Sequence, residues 1–99
     1  MPTKITLIID NPTDPDEFER AYADVKAAAG ALPKVQRVES AKVWPKEDGT
    51  PTPAYRTLDL YFASYEDASA AVATQAAAAV FGGLQATQAT FTGLFSDIE

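Results

Sequence analysis

Two residues with acid–base capacity stand two apart in the run Tyr55–Phe62: Asp59 and Tyr61. At strand spacing they share one side of a sheet, with Thr57 in the same register and Thr6, from the run Lys4–Ile9, nearby. An aspartate enclosed in a cavity gains affinity for protons and becomes a general base, and a neighbouring phenol can hydrogen-bond a ligand. Asp59 and Tyr61 are therefore the candidate catalytic pair. Thr6, Thr57, Asp59, Tyr61 and Tyr22 are the candidate ligand-binding residues. The bland reading of the same set is a solvated polar face whose members pair with one another, and Tyr22, one turn from Phe18, packs against the sheet. Arg37 and Arg56 have the fork that binds carboxylates, yet Arg37 beside Glu39 reads as a surface pair. Asp14, Asp16 and Glu17 look like metal ligands only until helix-start chemistry accounts for all three. Gly82-Gly83 follows a helix and lacks the lysine of a phosphate loop.

The missing residue types narrow the chemistry further. The 99 residues contain neither histidine nor cysteine. That removes the commonest general base near neutral pH, the thiolate nucleophile, and the commonest metal ligands. No cofactor and no metal are expected. The net charge is −6 and the eight basic residues are scattered singly, which argues against nucleic acid or an anionic membrane as partner. No apolar run approaches the roughly 20 residues that span a bilayer. The chain enters a strand-like run directly after Met1-Pro2-Thr3, with no leader-like segment, so a cytoplasmic location is the expectation.

Four strands and two helical regions must position these residues. Lys4–Ile9 is β-branched and apolar, and Asp10-Asn11-Pro12 ends it. Asp14 caps a helix with Pro15 in its first turn. Phe18, Ala21, Tyr22, Val25, Ala28, Ala29 and Leu32 recur at helical spacing up to Pro33. Val35–Trp44 and Tyr55–Phe62 read as a hairpin with a long prolyl tip, solvated and mobile. Ser64 starts a second helix through Ala68, Ala71 and Val72, and Thr74 restarts a third segment through Val80, Phe81 and Leu84, weakened at its end by Gly82-Gly83. Ala89–Phe95 alternates as a fourth strand, and residues 96–99 read as a tail.

This order describes a single α+β domain spanning residues 1–99: a ferredoxin-like βαββαβ antiparallel sheet with its helices on one face. Alternation assigns Ile5, Leu7, Ile9, Leu58, Leu60 and Phe62 to the helix side. Thr6, Ile8, Thr57, Asp59, Tyr61, Thr90, Thr92 and Leu94 then fall on the other. That second face holds Ile8, Tyr61 and Leu94 where a solvated surface would be polar, which points to a homodimer formed by stacking two such faces. Trp44, just before Pro45, is expected to cover a dimer edge. Neither parity of strand two is cleanly apolar, and a bulge is expected there.

Three segments also resemble a known family, the EthD-like proteins of the dimeric α+β barrel superfamily. They are Asn11-Pro12-Thr13-Asp14-Pro15 with Phe18-Glu19, Leu32 through Glu39, and Pro53-Ala54-Tyr55-Arg56 running into Leu58 through Ala68. The break at Thr74-Gln75, with Phe81 and Leu84 behind it, is similar to the family's second short helix. The resemblance implies a homodimer whose two sheets form a barrel, and a small-molecule site between sheet and helices. It also implies a link to ether degradation and to cofactor-free chemistry on aromatic or polyketide-like compounds. Two departures stand out. Where the family commonly carries a histidine in its first helix, this chain has Val25; where a glycine usually follows the proline, it has Lys34.

The helices are also unusually bare, with Ala27, Ala28, Ala29 and Ala31 in the first and Ala76 through Ala79 in the last. These tracts read either as the usage of an alanine-rich genome or as surfaces stripped by evolution or by an engineer. On the second reading Ala27, Ala31, Ala77 and Ala78 would meet neighbouring chains in a larger homo- or hetero-assembly. The leading function is a non-catalytic homodimeric scaffold. The alternatives are a histidine-free enzyme of oxidoreductase or degradative type using Asp59 and Tyr61, and a binding module for a small apolar or aromatic ligand.

Overall fold

The computed structural model describes residues 1–99. Strand β1 (Thr3–Ile9) is followed by helix α1 (Pro15–Gly30), strands β2 (Arg37–Lys42) and β3 (Arg56–Phe62), helices α2 (Tyr65–Val72) and α3 (Gln75–Ala86), and strand β4 (Phe91–Asp97). The sheet runs β2-β3-β1-β4, and every neighbouring pair is antiparallel. This is the ferredoxin-like arrangement expected from the element order.

Local chemistry sets the helix starts where the residue types place them. The Asp14 carboxylate accepts from the Glu17 amide at 3.2 Å, Ser64 Oγ accepts from the Asp67 amide at 3.1 Å, and Thr74 Oγ1 accepts from the Ala77 amide at 3.3 Å. Each cap satisfies an amide that the first helical turn leaves without a partner. Asp67 does not reach back to complete a capping box; its carboxylate instead meets Lys34 Nζ at 3.4 Å.

The core lies between the helices and one face of the sheet. Ile5, Leu7, Ile9, Leu58, Leu60 and Phe62 are buried, as their alternation requires. Phe18, Tyr22, Val25 and Ala29 cover them from α1, and Ala77, Val80 and Leu84 from α3. Each large aliphatic or aromatic side chain buried here contributes about 1.5–3 kcal/mol.

Several expectations about boundaries are corrected. The second strand is six residues rather than the ten of Val35–Trp44, and it carries no bulge: Arg37 through Lys42 pair without a slip against Tyr61 through Arg56. Its mixed pattern has a different cause. As an edge strand it is largely solvated on both faces, so alternation is not enforced. The last strand begins two residues later than expected and extends through Ser96 and Asp97, which pair with Lys4 and Thr3. Thr90 therefore precedes the strand. Gly82-Gly83 does not end α3, which continues to Ala86. The hairpin tip is exposed but organised, because Asp48 accepts from both the amide and the hydroxyl of Thr50, at 3.0 and 2.6 Å.

Candidate functional site

Cross-strand register sorts the uncovered sheet face into three rows. Arg37, Tyr61, Lys4 and Ser96 form the first; Glu39, Asp59, Thr6 and Leu94 the second; Ala41, Thr57, Ile8 and Thr92 the third. Thr6, Thr57, Asp59 and Tyr61 thus share this face, as expected. Tyr22 does not join them, since it lies in the core beneath α1. Ile8 and Tyr61 are half-buried, and Leu94 is exposed.

Glu39 stands directly opposite Asp59, and like charges so placed repel. Hydroxyl donors relieve the contact. Thr6 Oγ1 donates to Asp59 at 2.5 Å, and Tyr61 donates to Glu39 at 2.7 Å. Arg37 adds a charge to the same group: its Nε is 3.5 Å from Glu39, and its guanidinium sits 4.3 Å from the centre of the Tyr61 ring. Asp59 is half-buried, and none of the four surface clefts is lined by it, Tyr61, Thr6 or Thr57. Enclosure of Asp59 requires a second chain over this face.

On the helix side, where the resemblance implies a ligand site, aromatic side chains fill the space between α1 and the sheet. A cleft of about 320 Å³ opens between the start of α1 (Glu17, Phe18, Ala21) and the end of α3 (Ala86, Thr87). Tyr22 stacks on Phe18 at 5.3 Å, and Tyr55 meets Phe18 edge-on at 5.5 Å. The Tyr22 hydroxyl shares a hydrogen bond of 2.8 Å with Ser40. Burial pushes the Tyr22 phenol above its ordinary pKa, opposed in part by the Ser40 bond, which keeps it protonated and a poor base. Arg56 grips Glu19 with two nitrogens, at 2.8 and 2.5 Å, and lies 4.9 Å from the Tyr22 ring centre. The hydrogen bonds from Arg56 hold the Glu19 carboxyl below its usual range. The only carboxylate in this cluster is already committed to a bidentate partner.

Sequence reasoning missed this Glu19–Arg56–Ser40–Tyr22 network. Glu19 and Arg56 are 37 residues apart, and no spacing rule links a helix residue to a strand of the later hairpin. A second feature it missed concerns Val25, buried where the family's histidine would fall. A Cβ added at Gly83 would lie 2.9 Å from Val25 Cγ2, so α1 and α3 approach closely at that position. Lys34, standing in place of the family's glycine, has φ +63°, the left-handed region that glycine adopts without strain. The backbone conformation survives without the residue that suits it.

The remaining candidates are dispersed. Trp44 is 86% exposed at the end of the β2 edge. Ala27, Ala31 and Ala78 are exposed, whereas Ala77 is in the core. Ala77 cannot serve a contact with another chain, because its methyl group lies on the core face of α3, in the buried cluster. No helix is long and apolar enough to cross a membrane.

No family model matches the sequence, and no curated protein matches it. Solved structures do. An EthD family protein from Bacillus halodurans is 16% identical, with all of each chain covered and a TM-score of 0.89. A dimeric ferredoxin-like protein of unknown function from Thermobifida fusca is 12% identical over 99% of this chain and 92% of the other, with a TM-score of 0.75. SnoaB from Streptomyces nogalater, described as a cofactor-independent oxygenase, is 13% identical over 98% and 92%, with a TM-score of 0.70. The chain has the EthD-like, ferredoxin-like α+β fold of these proteins.

Proposed function

We propose that this chain is a non-catalytic domain whose role is self-association, forming a homodimer by stacking the open faces of two sheets. The observation that carries the reading is the packing at Val25. The position at which EthD-like proteins commonly present a histidine holds a buried valine, which can neither take nor give a proton, and α3 comes so near that a Cβ added at Gly83 would lie 2.9 Å from its Cγ2. The paired state of Glu19 and the raised pKa of Tyr22 support the same reading, since each is poorly suited to move a proton. Dimerisation is supported by Ile8 and Leu94, apolar side chains among the hydroxyls and charges of the open face, and by fold neighbours that are themselves described as dimeric.

A second reading rests on the 2.5 Å bond between Thr6 and Asp59. If a partner sheet enclosed that pair, Asp59 would be a buried base of the kind a histidine-free enzyme could use, with Tyr61 beside it. Native mass spectrometry of freshly expressed protein separates the readings. The scaffold reading expects a dimer without a bound small molecule. A co-purified organic ligand that Asp59→Asn releases would overturn it in favour of the enclosed site. A mass beyond the dimer would call for a further contact, for which the exposed alanines Ala27, Ala31 and Ala78 are the candidates.

A further inference from the structure

We infer that Trp44 is a docking arm that seats in a cleft of the partner subunit, at the junction of the partner's α3 and β4. The inference rests on the sheet-stacked homodimer proposed above, and commits it to one orientation and one anchoring contact.

The first observation is area. Four strands of about seven residues, at ~4.8 Å between strands and ~3.4 Å per residue, give a footprint of about 450 Å². Stable interfaces cover about 800 Å² on each partner. Side-chain relief raises the accessible area above this flat projection, which puts sheet stacking near the lower end of stable interfaces, where surface recruited beyond the sheet strengthens the dimer.

The second is what lies there. Trp44 is the most exposed large apolar side chain and the only tryptophan. It follows β2 directly, and the ladder continues to its neighbour, because the Val43 amide donates to Tyr55 at 2.9 Å. At the same end of the sheet, on the opposite edge, the Asp10 amide donates to Thr90 at 2.9 Å. A shallow cleft of about 410 Å³ opens there, lined by Gln85, Gln88, Ala89, Thr90 and Phe91. It holds no charged side chain.

The third is symmetry. Two sheets stacked face to face are related by a two-fold axis lying between them. If that axis runs along the strands, it sets the β2 edge of one copy beside the β4 edge of the other and keeps residues at the same height. Because β2 and β4 run in opposite directions, these edges meet antiparallel and the two sheets close into a barrel without a free edge. Trp44 then stands level with Ala89 and Thr90 of the other copy. Its parity along β2 is that of Lys42, which pairs with Arg56 on the helix side. Ala89 shares the parity of Phe91, which faces α3 through its contact with Phe81. Arm and cleft therefore meet on the outer side of the barrel, and both contacts form twice.

The single tryptophan makes the test direct, because fluorescence excited at the red edge, where the four tyrosines do not absorb, reports Trp44 alone. Sedimentation gives the oligomeric state across a dilution series, and fluorescence with acrylamide quenching is read on the same samples. As the dimer dissociates, emission should move to longer wavelength and quenching should rise about threefold, as expected for an indole leaving a protein pocket for water. Trp44→Ala removes both copies of the anchor and should weaken dimerisation about a thousandfold, about thirtyfold for each tryptophan lost, and leave the circular dichroism of the monomer unchanged. Ala89→Arg, on the cleft side, should give a comparable loss and leave the tryptophan in any residual dimer as quenchable as in the monomer. A dimer in which Trp44 is quenched as freely as in the monomer, or which Trp44→Ala leaves intact, overturns the arm and leaves sheet stacking standing. A parent chain that stays monomeric at every concentration overturns both.

Discussion

Replacing Gly83 with alanine sets two effects of opposite sign against each other. Inside a helix alanine is better than glycine by about 1 kcal/mol. The new methyl group, however, would sit 2.9 Å from Val25 Cγ2, closer than van der Waals contact allows. Val25 is fully buried and, being β-branched on a helix, has one strongly preferred rotamer, so it cannot swing aside. Overpacking of this kind costs about 1–3 kcal/mol, and the expected net change is a loss of about 1 kcal/mol. Val25→Ala alone deletes two buried methyl groups and should cost about 2 kcal/mol. In the double variant the methyl added at position 83 enters the space that Val25 vacates. The propensity gain is then realised without the clash. Gly83→Ala should therefore destabilise the parent chain by about 1 kcal/mol, yet stabilise the Val25→Ala chain by about the same amount, a coupling of about 2 kcal/mol. Urea unfolding of the four chains followed by circular dichroism measures the cycle, at one fixed protein concentration because association adds to stability. Gly83→Ala stabilising the parent chain by the full propensity gain would refute the close approach of α1 and α3 at the position of the family's histidine.

Lys34→Gly should raise stability by about 0.5–1 kcal/mol, since φ is +63° there and the exposed pair with Asp67 that is lost contributes little; an unchanged or lower urea midpoint would contradict this. Glu19→Gln should cost about 1 kcal/mol at neutral pH by breaking the bidentate contact with Arg56. Because the Glu19 pKa is lowered in the folded chain, its contribution is complete above the unfolded pKa and is lost as pH falls through the folded value. Parent and variant should therefore converge in stability only once the pH lies below the depressed Glu19 value of the folded chain, and a gap that persists in strong acid would exclude the charge as its source.

The parts of the fold that sequence made legible are those fixed by local chemistry. Asp14-Pro15, Ser64 and Thr74 each carry a cap in their own side chains, and the alternation in Lys4–Ile9 and Leu58–Phe62 is enforced by burial on one side. The edge strands were less legible. Arg37–Lys42 is solvated on both faces, so its residue types do not record which face they occupy, and the expected bulge was an attempt to explain a pattern that solvation had randomised. The candidate site divides along the same line. Asp59, Tyr61, Thr6 and Thr57 were found together because strand periodicity groups them. Glu19 with Arg56, and Val25 with Gly83, depend on how a helix lies across a sheet or beside another helix, which no local pattern encodes. Lys34 was noticed only as a departure from the resemblance; its backbone angle explains why a glycine would suit that position.

Sheet-face dimerisation is the central claim, and sedimentation equilibrium of the parent chain beside Ile8→Lys tests it most directly. Ile8 lies in the third row of the open face, opposite Thr57 and Thr92, where a lysine leaves the core untouched but places an unpaired charge between stacked sheets. The account predicts that the parent chain sediments at twice its 10.6 kDa mass while the folded variant sediments as a single chain. A parent chain that is monomeric at micromolar concentration, or a variant that dimerises with the parent's affinity, would contradict it.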